Sequence, residues 1–498
     1  MKNIAYQTSL FQIRRGTNHK EYRDLTDRLG AVDQILSKSG LEFEFAAYHL
    51  EQIRLATSES RSNSEVELTR TEIERYAKYA IQALRCNYLR LELGASFREC
   101  AFMIAASEDF QSFVFAGDFA DAKCPGKSKL HDFSSVVPDY FVLKMNDLLF
   151  ARFSSEECAV DTFGLADPLD NKTLWIDATC LMASIHFPVD WVMLGDAVRT
   201  LVKGILCIRR HGLKHRITAP ESFLSQFNFL SMEMANSRRK KGSKKYRKDI
   251  LRKIKHLCKI VKKHAIRYRD VLAANWGKTD LSEKQSLQIT RRIENVLEKL
   301  PAALSQAHKR IIREEKVSAK EKIISLYDDS AAAIVRGKSG AEIEFGNELF
   351  IAEQSDGFIV DWQLYESKAA DPRKFQDFME RHKPEPRAVE AIVSDRGFDG
   401  KQSREKLDKN GIYNGLCPRS PSELIKKKGD KDFKALQKRR SQTEGRVAAV
   451  KRFIGKRMPC REFEAKKRHA AWAVFTHNLH LLAKLMTEAK KEKEKQAA

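Results

Sequence analysis

Thr173-Leu-Trp-Ile-Asp177-Ala-Thr179 and Ala391-Ile-Val-Ser-Asp395-Arg-Gly-Phe398 decide how this chain is read. Each is a short apolar, β-favouring run that reaches an aspartate and then breaks, and Gly397 permits a sharp exit from the second. In an open α/β sheet, ligands sit beyond the carboxyl ends of strands, so acids placed there are candidates for chemistry. Between the two runs, residues 344–353 and 358–365 read as strands, with Asp356-Gly357 as a hairpin turn signal. Around the second run the pattern predicts a helix over 372–382, a strand over 391–394, a helix over 403–410, a strand over 413–417 and a helix over 436–453. This order, a strand, a helical excursion, two antiparallel strands and then alternating helix and strand, is that of an interrupted α/β core.

Working outward, residues 1–165 read as helical. Tyr22, Leu25, Leu29, Val32 and Ile35 recur at helical spacing, as do Ile73, Tyr76, Ala80, Leu84 and Tyr88. Residues 57–64 read as a flexible connection, and 488–498 as a frayed Lys/Glu-rich tail. Residues 190–208 resume a helical pattern, and 221–327 hold long amphipathic stretches without a convincing strand. Ile250, Ile254, Leu257, Val261 and Ile266 mark one buried stripe there.

The net charge of +23 on 498 residues is unevenly placed. Residues 1–170 carry 20 basic and 26 acidic side chains, residues 200–330 carry 32 and 13, and residues 421–498 carry 22 and 9. From Arg238 to Arg269, 16 of 32 residues are Lys or Arg and Asp249 is the one acid. Such blocks suit a polyanion, and Lys244, Lys245, Lys248, Lys255 and Lys262 are the expected phosphate contacts. No apolar run approaches the length of a membrane span, and the N-terminus lacks a secretory layout. Nine scattered cysteines without a Cys-x-x-Cys pair argue against a disulfide framework or a structural zinc, so a reduced intracellular protein is expected.

A carboxylate pair such as Asp177 and Asp395 binds hard divalent cations through oxygen, and two such ions serve phosphodiester cleavage. Glu444 is the candidate third carboxylate; Arg440, Glu444 and Lys451 share a helical face by their four- and seven-residue spacings. Asp190, Asp196, Glu353 and Asp361 compete for ligand roles, with Asp190 and Asp196 reading as structural because they open a helix. His186 reads as structural. His211 and His215 stand four apart with no acid beside them and read as basic surface, while Trp175, Trp362 and Trp472 read as core. Residues 337–340 lack a P-loop, so ATP is not implied.

These residues resemble the DDE transposases of bacterial insertion sequences, of the insertion-sequence-five type, on an RNase H-like fold. The likeness rests on Trp175-Ile-Asp177-Ala-Thr179 with Ile185-His-Phe-Pro-Val-Asp190, on Arg336-Gly-Lys-Ser-Gly340, Glu344-Phe-Gly346, Ala352-Glu-Gln-Ser-Asp-Gly357 and Val360-Asp-Trp362, and on Asp395-Arg-Gly-Phe398. Arg440, Glu444 and Lys451 match the family's helix signature, whose Tyr position is Gln437 here. The segment from Arg85-Cys-Asn-Tyr-Leu-Arg90 to Phe110 resembles the helical domain preceding such cores.

The resemblance implies an RNase H-like α/β catalytic core, a mixed sheet flanked by helices, with an all-helical N-terminal domain and a long helical insertion after the first catalytic strand. The expected divisions are a helical domain (1–165), the first part of the core (166–210), a basic, DNA-binding insertion (211–335), the second part of the core (336–485) and a charged tail (486–498). It also implies Asp177, Asp395 and Glu444 as catalytic ligands of two Mg²⁺ or Mn²⁺ ions, and Arg440 and Lys451 as DNA contacts. The partners would be double-stranded DNA, as terminal inverted repeats and target, with a dimer or larger assembly on DNA in the bacterial cytoplasm and no membrane. Two other readings stand beside it: a metal-dependent nuclease of the same fold without strand transfer, and a domesticated, non-catalytic DNA-binding protein.

Overall fold

The computed structural model describes residues 19–60, 68–115, 124–217, 219–239, 241–318, 321–338, 341–381 and 389–497. The chain divides into two compact units, residues 1–182 with 347–498, and residues 183–346.

The first unit opens with seven helices: α1 (Lys20–Lys38), α2 (Leu41–Ser60), α3 (Arg70–Glu92), α4 (Phe97–Ala106), α5 (Glu108–Phe113), α6 (Lys127–Phe133) and α7 (Asp139–Phe153). Capping boxes start two of them, Thr69 with Glu72 on α3 and Ser96 with Glu99 on α4. Residues 57–60, expected in a connection, close α2, and residues 61–64 lie outside the described residues. Buried inside these helices, Arg85 donates to Glu42 and Asp33, each at 2.6 Å, and to the Phe113 carbonyl at 3.0 Å.

Strand β1 (Thr173–Met182) follows. It runs five residues beyond Asp177, where a strand end was expected, so Asp177 lies inside a strand. Its parallel partner is shorter: β5 (Ala391–Ser394) pairs with Thr173, Leu174 and Trp175.

The second unit holds α8 (Asp190–Arg210), α9 (Ser222–Asn236), α10 (Ser243–Asn275), α11 (Glu283–Ala307) and β2 (Ala332–Lys338). The four helices share one core, in which Ile250, Ile254, Leu257 and Val261 are buried and Ile266 is half-buried. Helix α8, assigned to the catalytic core by sequence, therefore packs with the insertion, whose compact unit begins at 183 rather than 211. Strand β2, which the sequence pattern missed, pairs antiparallel with the opening of β3 (Ala341–Glu353).

From residue 347 the chain belongs to the first unit again. The later half of β3 pairs antiparallel with β4 (Ile359–Tyr365). Then come α12 (Asp371–Arg381), β5, α13 (Lys401–Lys409), β6 (Tyr413–Leu416), α14 (Pro421–Lys427), α15 (Lys431–Arg439), α16 (Ser441–Ile454) and α17 (Phe463–Ala497). The sheet order is β2-β3-β1-β5-β6, with β4 also on β3 and β6 parallel to β5: a mixed sheet flanked by helices. The helix expected over 436–453 is two helices meeting at Arg440.

Helix α17 is buried on every face from Ala470 to Leu479 and packs against α1, α3, α7, α16 and β4. Asn478 donates to Asn146 (2.6 Å) and to the Ile359 carbonyl (2.9 Å), bolting α7 and α17 to β4. The N-terminal helices thus share one hydrophobic core with the sheet, and they are not a separate domain. The expected frayed tail is the last part of α17, helical to Ala497. Among the described residues no helix is long and apolar enough to cross a membrane.

Candidate active site

The pairing of β1 with β5 puts two of the expected acids on one strand pair. Trp175 is opposite Val393; Asp177 stands two residues further along within β1, and Asp395 opens the turn directly after β5. Asp177 Oδ1 accepts from the Ala178 amide at 2.7 Å, and Asp395 Oδ1 accepts from the Gly397 amide at 2.9 Å, closing the turn after β5. A Cβ on Gly397 would collide with the Asp371 carboxylate, which would have to shift to make room. Asp371 in turn binds the buried Lys374 ammonium (2.8 Å), which also pairs with Glu348 (2.7 Å). These bonds tie the start of α12 to β3, with the Asp371 carboxylate lying beside Gly397 in the turn that carries Asp395.

Helices α15 and α16 cover this end of the sheet. Trp175 Nε1 donates to the Leu436 carbonyl at 3.1 Å, and the Arg439 guanidinium lies 4.3 Å from the centre of the Trp175 ring. Gln437, at the position where the resembled family has Tyr, donates to the carbonyls of Ser394 (3.1 Å) and Gly415 (2.7 Å). One amide therefore joins α15 to the ends of β5 and β6, next to Asp395.

Glu353, considered by sequence as a rival metal ligand, is fully buried and paired with Arg439 (2.8 Å) and Arg446 (3.6 Å). Arg439 also donates to the Ser355 carbonyl (2.7 Å) and Arg446 to that of Asp356 (2.9 Å), so both arginines grip the hairpin between β3 and β4. Gly357 in that hairpin has φ +96°, and a Cβ there would strike Arg446. Asp-Gly marked the turn in the sequence; nothing marked the arginines that clasp it, since Arg439 and Arg446 look like two more members of a basic run.

Glu444 lies in the first turn of α16, exposed, and α16 packs on β1. Arg440 is the half-buried junction residue between the two helices rather than a member of one continuous helical face, and Lys451 is half-buried in the last turn of α16. Among the described residues, no group of three or more His, Cys, Asp or Glu side chains is placed to hold a metal ion. As their side chains stand, Asp177, Asp395 and Glu444 are not drawn into one cage.

The other candidates are engaged elsewhere. Asp190 is buried and accepts from Arg310 (2.8 Å) and Gln306 (2.9 Å), Asp196 pairs with Arg199 (3.1 Å), and Asp361 pairs with Arg381 (2.8 Å). His186 is exposed. His211 has an acidic partner after all, Asp280, which the sequence places 69 residues away. Trp175, Trp362 and Trp472 are buried, as core residues should be.

Within the insertion unit, α10 presents the expected cations. Lys245 is exposed and Lys262 half-buried, and neither has a carboxylate partner among the described residues. Lys244 and Lys248 do: both reach Glu314, at 3.1 and 3.0 Å, and their hydrogen bonds hold its carboxyl below the usual range. Lys255 contacts His308 Nδ1 at 3.2 Å. Arg252, Lys255, His256, Lys259 and His308 line a 220 Å³ hollow that has no acid in its wall.

No protein-family model, curated protein or solved structure matches this chain.

Proposed function

We propose that this chain is a DNA transposase with an RNase H-like core, in which Asp177, Asp395 and Glu444 are the catalytic carboxylates. The observation that carries the reading is the parallel pairing of β1 with β5, with Asp177 in β1 beyond the paired residues and Asp395 in the turn directly after β5. Glu444 belongs to the helix packed on β1. The mixed sheet, with a helical unit inserted between its first strand and the rest, supports the same reading.

The donor set is entirely carboxylate oxygen, which suits Mg²⁺ or Mn²⁺. The fit is one of donor type and of the shared strand pair, because the three side chains are not gathered as they stand. When bound, two such ions supply an activated nucleophile and stabilise the leaving oxygen. The protein's own part is to fix β1, β5 and α16 in place through Gln437, Arg439 and Arg446, and to hold phosphates through Arg440, Lys451 and the lysines of α10.

The test uses inverted repeats from the DNA flanking the gene, paired as labelled ends, with the full chain, Mg²⁺ and a target plasmid. Cleaved ends joined to the target are expected. Cleavage without joining would favour a nuclease, and binding without cleavage in Mg²⁺ or Mn²⁺ would favour a non-catalytic DNA-binding protein.

A further inference from the structure

Helix α3 carries two buried arginines, five residues apart, with opposite fates. Arg85 is neutralised by Asp33 and Glu42 and caps the Phe113 carbonyl. Arg90 is 9% exposed, yet among the described residues no carboxylate pairs with it, and its Nε has no hydrogen-bond partner. The face of Phe97 lies 4.5 Å from its guanidinium carbon. A buried guanidinium with no carboxylate beside it is costly, and in this Arg90 differs from Arg85.

That difference bears on the space that Arg90 lines. A cavity of about 800 Å³ within the first unit is walled by α3, α4, the end of α6, α16, the loop after α16 and α17. Its wall holds Arg90, Arg452, Arg457, Arg461 and Arg468 against a single acid, Glu462. Trp472 lines it too, and its Nε1 is a second buried donor without a partner. The volume falls within the range of about 300–1,000 Å³ usual for small-molecule sites. The guanidinium fork matches phosphate oxygens, and a wall carrying five of them is suited to hold a phosphate.

We infer that this cavity binds a phosphate-bearing ligand, carried either by a free nucleotide or by a DNA backbone. The inference uses none of Asp177, Asp395 and Glu444 and stands whether or not the chain cleaves DNA. Arg468 is half-buried in the wall, so Arg468→Gln reports on the site even where loss of Arg90 disturbs folding.

Calorimetric titration of the full chain with pyrophosphate and with ADP reads the first source. A parallel arm adds short duplex DNA and follows alkylation of Cys460, which lines the cavity, by peptide mass. Saturable ADP binding that Arg468→Gln and Arg90→Gln each weaken about tenfold is the expected result for a free nucleotide, one charge-assisted hydrogen bond being lost in each. Shielding of Cys460 by duplex in the wild type, lost in Arg468→Gln, is the expected result for a DNA backbone. The inference is overturned if pyrophosphate and ADP do not bind and duplex leaves Cys460 unshielded. It is equally overturned if binding or shielding is unchanged in a folded Arg468→Gln protein.

Discussion

Two cationic segments, α10 in the insertion and the α15–α16 pair over the sheet, look alike in the sequence and differ in what their charges touch. On α10 the apolar stripe is buried and the lysines face outward, with Lys245 exposed and Lys244 and Lys248 reaching only a surface glutamate. On α15–α16 the arginines turn inward, onto a fully buried Glu353 and the carbonyls of the β3–β4 hairpin. The first arrangement leaves charge available to a polyanion. The second consumes charge to hold a helix pair in place. Charge density alone does not separate a binding surface from a clasp; the presence of a buried acid opposite does.

The sharpest way to break this contrast is to remove the buried acid. Glu353→Ala leaves Arg439 and Arg446 facing an empty, desolvated place, and should cost about 3–5 kcal/mol in denaturant unfolding. A loss below about 1 kcal/mol, the level of a surface pair, would put the clasp in the same class as α10.

Acid should loosen the same region next. His477, buried on α17, shares a hydrogen bond with the Gly357 carbonyl at 3.2 Å, and His469 does so with that of Ile454 at 3.0 Å. Burial pushes both down to about 4. The unfolded chain then binds more protons than the folded one between about pH 6.5 and 4, so stability is full above the window and is lost as pH falls through it. Each histidine contributes on the order of 3 kcal/mol to that loss. His477→Gln should flatten the slope of unfolding free energy against pH, and an unchanged slope would contradict the assignment.

Gly357→Ala should follow, at about 1–2 kcal/mol for the left-handed backbone, plus displacement of Arg446. Melting temperature reads it, and a neutral result would mean that the arginine does not press on the hairpin.

The smallest effect on stability belongs to the lysines of α10. Replacing Lys244, Lys245, Lys248, Lys255 and Lys262 by Gln should shift stability by less than about 1 kcal/mol. DNA affinity should respond far more: if six cations engage phosphate, the log–log salt slope of about −5 should fall towards about −1. An unchanged slope would move the DNA contacts elsewhere.

Much of the sheet was legible because its strands are short apolar runs bounded by strong punctuation. The run 391–394 became β5 as read, and Asp356-Gly357 marked the β3–β4 turn. Strand β1 was read too short because Asp177 is polar, and an isolated polar residue cannot announce that a strand continues beyond its shorter partner. The continuity of the N-terminal helices with the sheet was hidden because it depends on α17, buried on all faces. Its His477 and Asn478 show their hydrogen-bond partners only in three dimensions. At the candidate site, Asp177 and Asp395 were visible from strand context. Gln437, Arg439, Asp371 and Lys374 were not, because each acts on a residue at least one element away, except where Lys374 bonds Asp371.

The central claim, that Asp177 and Asp395 form an ion-binding edge, is tested most directly by titrating Mn²⁺ into the full chain and following free ion by electron paramagnetic resonance. The wild type should remove Mn²⁺ from solution saturably, and Asp177→Asn and Asp395→Asn should each abolish that uptake while melting as folded proteins. Equal Mn²⁺ uptake by the wild type and the Asp177→Asn/Asp395→Asn double variant would contradict the claim.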